Sequence, residues 1–112
     1  MEEKSSRKIR IFFQNIQSIG NSYLKLEQTA HEHSIDIIAI CEHWKSLDEL
    51  RNYHIQHFEL ASNFCRSEGK HGGCAIFCKN NITYKIRSDI NLLNIPFIFE
   101  CCGIEIQIDN AK

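Results

Sequence analysis

The first apolar residues of the chain alternate with a period of two. Ile9, Ile11 and Phe13 share one side of this pattern, and Arg10 and Phe12 lie between them. Such alternation is typical of a β-strand. We therefore expect a strand here, followed by a polar turn.

The next apolar residues are spaced like those of a helix. Tyr23, Leu26 and Ala30 fall on one side of this helix, and either Asn21 or Ser22 is suited to cap its start. We therefore expect a helix that begins near these two polar residues and packs its apolar side against a sheet.

A nearly continuous apolar run at residues 35–41 follows the helix. Such a run suits a strand that is covered on both faces within a parallel sheet. Strand, helix and strand in this order predict a βαβ unit, whose crossover should be right-handed. The expected fold class is therefore α/β.

Shorter elements are expected in the second part of the chain. Ser46 and Glu49 match the S-x-x-E capping box, so a short helix should start there. Residues 57–62 suit a short strand, and the glycines of segment 67–73 predict a loop.

Two further β elements are predicted after this loop. Segments 74–78 and 82–86 flank the polar tripeptide 79–81 and therefore predict a β-hairpin. The apolar residues between 97 and 108 predict a long final strand, one face of which carries Ile104, Ile106 and Ile108.

Composition and charge narrow the function classes. The chain has 112 residues and a formal net charge of −1 at pH 7, so we expect one domain at most and no broad basic surface for nucleic acid. The N-terminal segment has no secretory pattern, and no run approaches the roughly 18 apolar residues of a membrane span. We expect an intracellular protein of the nucleus or cytoplasm, neither secreted nor membrane-bound, whose six cysteines are free thiols.

Three short motifs carry a family resemblance. They are Phe-Phe-Gln-Asn-Ile-Gln-Ser at 12–18, Ile-Cys-Glu-His-Trp at 40–44, and the segment from Arg66 through the glycines to Phe77. In this order and spacing they resemble the endonuclease/exonuclease/phosphatase family, and most of all the endonuclease domains of LINE-type retrotransposons. The resemblance covers essentially the whole chain but only the first half of the family's domain.

The resemblance implies a fold and a domain organisation. The chain should form the first half of a four-layered α/β sandwich, with a mixed sheet and flanking helices. Residues 1–112 should form one partial domain, with no linker and no second domain. Because the second half of the sandwich has no counterpart in the sequence, an apolar surface should remain exposed and allow self-association.

The resemblance also implies two site residues, Asn15 and Glu42. Both follow predicted neighbouring strands, and open α/β sheets place ligands at the carboxyl ends of their strands. A carboxylate is a suitable ligand for Mg²⁺ or Mn²⁺, so Glu42 is the expected metal ligand. The Asn15 amide can donate to a phosphate oxygen or accept from a metal-bound water. Arg66, Lys70 and His71 are expected to make weak contacts with a DNA backbone.

The function implied is hydrolysis of a phosphodiester bond in DNA, which in a retrotransposon nicks the target for a linked reverse transcriptase. The family's later motifs, a tyrosine, an Asp-x-Asn pair and a Ser-Asp-His, have no match in the sequence. We therefore expect weak metal binding and no cleavage by this chain alone. The alternative is a non-catalytic, transposon-derived remnant or a partner-binding module.

Other chemistry has weaker support. Cys65, His71, Cys74 and Cys78 have irregular spacing for a zinc site, and free cysteines in apolar surroundings usually pack in a core. Gly72 lies in a glycine pair that lacks the full phosphate-loop pattern, so we expect the pair to allow a tight entry into the next strand.

Overall fold

The computed structural model of the chain describes residues 8–67 and 71–108. In chain order its elements are β1 (Ile11–Asn15), α1 (Ile19–Glu32), β2 (Ile37–Cys41), α2 (Leu47–Leu50), β3 (Phe58–Phe64), β4 (Cys74–Lys79), β5 (Thr83–Ile86), α3 (Ser88–Asn91) and β6 (Ile104–Gln107). Four strands form a mixed sheet in the order β1-β2-β4-β3, and β5 pairs with β6 in a separate two-stranded sheet. The predicted α/β class, with a mixed sheet and flanking helices, is confirmed.

The predicted βαβ unit is present at the start of the described chain. β1 and β2 are parallel neighbours, with Ile11 opposite Ile37 and Asn15 opposite Cys41, and α1 connects them. Because parallel strands run in the same direction, the carboxyl ends of β1 and β2 meet at one edge of the sheet.

The helix α1 begins earlier than the sequence predicts, directly after Ser18. The Ser18 side chain makes no capping hydrogen bond. Instead, the backbone N–H groups of Ser18 and Ile19 donate to the carbonyls of Glu42 and His43, at 2.9 and 3.1 Å. The loop after β2 therefore satisfies the backbone donors of the two residues at which the helix starts.

The helix covers one face of the four-stranded sheet. Its buried residues join the sheet and the segment around α2 in the larger core cluster, which consists of Ile16, Ile19, Leu26, Ala30, Ile35, Ile38, Ile40, Leu50, Ile55, Ala75 and Phe77. At about 25 cal/mol per Å² of apolar area removed from water, this face is the main source of stability.

Among residues 8–67 and 71–108, the opposite face of the sheet is covered only in part. There β5 and β6 pack over Ile37 and the fully buried Cys78. Farther along β1, Ile11 and Phe13 are 61% and 66% exposed. The prediction that β2 is covered on both faces is thus confirmed for Ile37, whereas β1 keeps an open apolar side.

The predicted hairpin of segments 74–78 and 82–86 is wrong. β4 pairs antiparallel with β2 on one side and with β3 on the other. Both of its hydrogen-bonding edges are therefore occupied, and β5 pairs with β6 instead. The turn at 79–81 leads from one sheet to the other.

The predicted long strand over 97–108 is also wrong, because only Ile104–Gln107 forms β6. The preceding residues form a turn in which Ile95 pairs with Phe99. The Asn94 side chain closes this turn, since it accepts from the Cys101 N–H at 2.6 Å and donates to the Cys101 carbonyl at 2.7 Å.

Of the two short helices, the sequence predicts α2 but not α3. The capping box of α2 is confirmed in both directions, between Ser46 and Glu49, whereas α3 was not predicted. No helix among the described residues is both long enough and apolar enough to cross a membrane.

Candidate active site at the carboxyl edge of the sheet

The structure brings Asn15 and Glu42 together. Asn15 is the last residue of β1, and Glu42 follows the last residue of β2. The Asn15 Nδ2 group donates to Glu42 Oε2 at 2.8 Å. The two residues that the family resemblance singled out therefore form one hydrogen-bonded pair at the edge where both strands end.

The loop that carries Glu42 has an unusual backbone. Both Glu42 and Trp44 have left-handed conformations, with φ of 59° and 66°, which cost about 1–2 kcal/mol for a residue with a side chain. The glycine loop holds them in place, since the N–H of Glu42 donates to the Gly73 carbonyl at 2.6 Å and that of Trp44 to the Gly72 carbonyl at 3.0 Å. Strain of this kind persists where surrounding contacts impose it, often at functional sites.

Between these two residues, His43 points into the protein and is fully buried. Its Nδ1 accepts from the Lys45 N–H at 3.0 Å, so Nε2 carries the proton and donates to the Phe64 carbonyl at 3.0 Å. Burial lowers the pKa of His43, although the bond to Phe64 opposes this effect. His43 is therefore a neutral histidine that supports the loop.

The two glycines at the start of β4 are required by space and conformation. Gly72 and Gly73 have φ of 82° and 86°, a region that glycine occupies readily. A Cβ on Gly73 would lie 2.5 Å from His43 Nε2 and 2.9 Å from the Phe64 carbonyl oxygen. The expected tight entry into the strand is confirmed, and it lies directly against the buried histidine.

A cleft of about 490 Å³ opens beside Glu42. It is lined by Cys41, Glu42, Arg66, His71, Gly72, Gly73, Cys74 and Glu100. The exposed His71 ring stacks on Trp44, with ring centroids 4.2 Å apart and planes 28° apart. Of the three residues expected to contact DNA, Arg66 and His71 thus share the cleft with Glu42, and Lys70 lies outside the described residues.

A second carboxylate of the cleft, Glu100, was not identified from the sequence. It accepts hydrogen bonds from Arg66 Nε at 2.5 Å, Phe97 N at 2.9 Å and Gly73 N at 3.0 Å. Burial opposes its ionisation, but these bonds, led by that from Arg66, outweigh burial and lower the pKa of Glu100.

The hydrogen bonds of Glu100 join three segments beside the cleft, those of Arg66, Gly73 and Phe97. Glu100 binds Gly73, whose carbonyl in turn holds the Glu42 N–H. It also holds Arg66, whose guanidinium lies 4.2 Å from the centre of the Phe97 ring. The signal in the sequence was a charge among the apolar residues 97–102, inside the segment that we assigned to a strand.

The donor set of the cleft suits a metal ion only weakly. Within residues 8–67 and 71–108, no group of three or more His, Cys, Asp or Glu side chains is arranged to hold a metal. Glu100 is engaged by Arg66 and two backbone N–H groups. Glu42 remains as a hard oxygen ligand that fits a Mg²⁺ or Mn²⁺ ion retaining most of its water.

Comparison with known proteins places the fold. No family model matches the chain, and no curated protein sequence matches it. Among solved structures, the chain is similar to the crystal structure of the Xenopus laevis APE2 catalytic domain, with 26% identity and a TM-score of 0.55. The match covers 67% of this chain and 24% of that chain, so it spans about a quarter of the neighbour's length. The likeness supports an endonuclease/exonuclease/phosphatase-type, nuclease-like fold.

Proposed function

We propose that this chain forms the asparagine–glutamate part of a divalent-metal-dependent site that hydrolyses phosphodiester bonds in DNA. The observation that carries the proposal is the 2.8 Å hydrogen bond between Asn15 and Glu42 at the open edge of a nuclease-like fold. The resemblance of the motifs to LINE-type endonucleases points to nicking of target DNA, inside the cell, for a linked reverse transcriptase.

Glu42 and Asn15 have different roles in this proposal. The Glu42 carboxylate would hold Mg²⁺ or Mn²⁺ through lone pairs that Asn15 does not use. When bound, such an ion stabilises negative charge that develops on the phosphate. The Asn15 amide fixes the orientation of the carboxylate and keeps a second Nδ2 hydrogen for a phosphate oxygen.

Contacts with the DNA backbone are proposed for Arg66, Lys70 and His71. Glu100 offsets the charge of Arg66 at 2.5 Å, and the net charge of the chain is −1. Counterion release from DNA depends on the number of phosphates that basic groups neutralise. We therefore expect weak binding of DNA with a shallow dependence on salt concentration.

The only tryptophan of the sequence provides a local reporter of metal binding. Trp44 Nε1 lies 3.4 Å from Glu42 Oε1, so paramagnetic Mn²⁺ bound at Glu42 should quench the Trp44 fluorescence. We expect saturable quenching at about millimolar Mn²⁺, because one carboxylate supplies few protein ligands. Added Mg²⁺ should compete with Mn²⁺ and restore the fluorescence.

The matched variants are Glu42→Gln and Asp48→Asn. Glu42→Gln should abolish the saturable quenching, whereas Asp48→Asn removes an exposed carboxylate on α2 and should leave it unchanged. If the quenching survives in Glu42→Gln, Glu42 is not the ligand and the proposed site is wrong.

Cleavage by the chain alone is a separate question, and we expect none above background. Cleavage needs a positioned nucleophile, stabilisation of charge and assistance to the leaving group, and Asn15 and Glu42 provide only part of the second. Loss of one such group typically costs about a hundredfold or more in rate. Nicking of supercoiled plasmid with Mg²⁺ that disappears in Glu42→Ala would contradict this expectation.

The second candidate function is a non-catalytic, partner-binding module of transposon origin. It is favoured by apolar side chains that remain exposed on β1 and in the turn after α3, among them Ile11, Phe13, Leu92, Phe97 and Ile98. Sedimentation of the purified chain distinguishes the two functions when combined with the metal titration. Self-association without Mn²⁺ quenching would favour the binding module.

A further inference from the structure

Several cysteines meet beside the cleft, around the first residue of β4, Cys74. Cys74 lies opposite Cys41 in the antiparallel pairing of β2 and β4. The adjacent pair is joined by the hydrogen bond from Glu42 to Gly73, so Cys41 and Cys74 form a non-hydrogen-bonded pair, whose side chains are close. Neither Cys41 nor Cys74 has a role in the proposed hydrolysis.

Within this group, the Cys74 side chain interacts with that of Cys102. The two residues line one groove, and both are only partly exposed. Cys101, the neighbour of Cys102, is turned elsewhere, and its thiol donates to the Ile90 carbonyl at 3.2 Å. Two residues that are 28 positions apart in sequence, from 102 − 74, therefore line the same groove.

Solvent reaches this pair through an open groove of about 300 Å³. Its lining includes Cys41, Cys74, Cys101 and Cys102, together with Phe13. A small oxidant can therefore approach the sulfurs from the uncovered face of the sheet. The fully buried Cys78 does not line this groove.

We propose that Cys74 and Cys102 are a redox modification site, and that a hydroperoxide converts this pair of thiols into a reversible disulfide. This inference does not depend on the proposed hydrolysis of DNA. It rests on the groove that brings Cys74 and Cys102 together and exposes them to solvent.

The chemistry begins at Cys102. The interaction with Cys74 lowers the pKa of Cys102, against the effect of burial and with help from the Ser62 hydroxyl, and the thiolate is the nucleophile in such reactions. The alternatives around it react less readily, because burial raises the pKa of Cys65 to about 11 and that of Cys41 above its ordinary value.

Oxidation of the pair takes two steps. The Cys102 thiolate attacks the outer peroxide oxygen, the O–O bond breaks, and the leaving alkoxide or hydroxide takes up the proton that Cys102 released. Cys102 is then a sulfenic acid. The Cys74 sulfur gives up its proton and attacks the Cys102 sulfur, the S–O bond breaks, and water leaves. The two thiols lose two electrons in total, and the peroxide gains them.

The disulfide would join two walls of the cleft. Cys74 follows Gly73, and Cys102 lies two positions after Glu100, which holds the Gly73 N–H. The bond would therefore fix the start of β4 to the segment before β6, and closing this loop covalently restricts the unfolded chain. The oxidised protein should unfold at a higher temperature than the reduced protein.

Peptide mapping tests the proposal directly. The purified chain is treated with hydrogen peroxide, its remaining thiols are alkylated, and tryptic peptides are analysed by mass spectrometry. We expect peptide 71–79 linked to peptide 88–112, with the loss of two hydrogens, and separation of the two by dithiothreitol. Each peptide contains two cysteines, so fragmentation of the linked wild-type peptide must assign the bond to Cys74 and Cys102.

Two variants test the assignment of the bond, and two others are their matched controls. Cys74→Ala and Cys102→Ala should lose the linked peptide, whereas their neighbours in the same peptides, Cys78→Ala and Cys101→Ala, should keep it. The proposal is overturned if the link persists in Cys102→Ala, if it forms only between two chains, or if peroxide takes Cys102 to a sulfinic acid without a disulfide. Fragmentation of the linked wild-type peptide identifies the bonded cysteines without any variant, so the proposal is tested even if a variant fails to fold.

Discussion

The centre of the four-stranded sheet differs from the edge where β1 and β2 end in both burial and backbone conformation. At the centre, Ile38 lies opposite Phe77, and the two are 0% and 1% exposed. At the edge, two residues of one loop, Glu42 and Trp44, have left-handed backbones, and the Glu42 carboxylate faces an open cleft.

This difference separates the region that stabilises the fold from the region of the proposed site. Apolar burial at the centre holds the sheet and keeps the ends of its strands in place. The loop at the edge carries conformational strain of about 1–2 kcal/mol for each left-handed residue, which the burial at the centre offsets. Substitutions in the two regions should therefore change different properties.

The largest effect is expected at the centre, from Phe77→Ala. This change removes a ring from the larger core cluster and leaves a cavity, so we expect the free energy of unfolding to fall by about 3–5 kcal/mol. Phe13→Ala removes the same ring from a position that is 66% exposed, and it should cost less than about 1 kcal/mol. Urea denaturation followed by circular dichroism measures both.

Equal losses in the two phenylalanine variants would contradict the comparison. They would mean that Phe13 is covered in solution, for example by a second copy of the chain. Repeating the denaturation at several protein concentrations separates this case from a misplaced core, because association makes stability depend on concentration.

The next largest effect is expected where the edge contacts the interior, at Gly73. Gly73→Ala places a Cβ 2.5 Å from His43 Nε2 and against a backbone carbonyl, in addition to the left-handed strain. We expect a loss of at least about 2 kcal/mol. Gly72→Ala places a Cβ 2.2 Å from Arg66 Nε, so Arg66 must move and its bond to Glu100 weakens. Because a side chain can move where a backbone carbonyl cannot, we expect a smaller loss, of about 1–2 kcal/mol.

Thermal or urea unfolding of the two alanine variants is the measurement. A loss in Gly72→Ala that equals or exceeds that in Gly73→Ala would show that close packing against His43 does not restrict this turn.

The parts of the fold that the sequence predicts correctly depend on local signals. The βαβ unit follows from an alternating strand, a helical spacing and an apolar run, and the capping box at Ser46 from two residues in one turn. Asn15 and Glu42 were identified from a family resemblance, and their meeting follows from parallel strands that end at one edge.

The parts that were predicted wrongly depend on contacts between distant residues. The hairpin failed because β2 and β3 occupy both edges of β4, and no local pattern shows which partner takes an edge. The prediction of a long final strand was wrong because hydrogen bonds from the Asn94 side chain to the Cys101 backbone close a turn there. Glu100 was missed for the same reason, since its role appears only when that turn brings it to Gly73.

A smaller effect is expected from pH, through the buried His43. Its pKa is lowered from the ordinary value of 6.5 by burial, so the unfolded chain takes up a proton at a pH where the folded chain does not. The contribution of neutral His43 to stability is therefore complete above pH 6.5. As the pH drops below that value, the free energy of unfolding decreases by at most about 1.4 kcal/mol per pH unit.

Urea denaturation at about pH 7.5 and about pH 5.5 measures this loss, because these two pH values lie on either side of the ordinary histidine pKa. His43→Gln should remove this component of the pH dependence, whereas His54→Gln, at an exposed position, should keep it. A wild-type chain that is equally stable at both pH values would mean that His43 gains its proton in the folded state.

The smallest change in stability is expected at the edge itself, from Glu42→Asn. The variant loses a carboxylate that bonds Asn15 at 2.8 Å, which should cost about 1 kcal/mol or slightly more. Asparagine tolerates the left-handed conformation better than glutamate does, so relief of strain at φ of 59° should offset much of that cost. We expect the free energy of unfolding to stay within about 0.5 kcal/mol of the wild type, while the Mn²⁺ quenching of Trp44 is lost. A loss of stability comparable to that in Phe77→Ala would show that Glu42 holds the fold together, and the distinction between a stable centre and a strained edge that carries the proposed site would then fail.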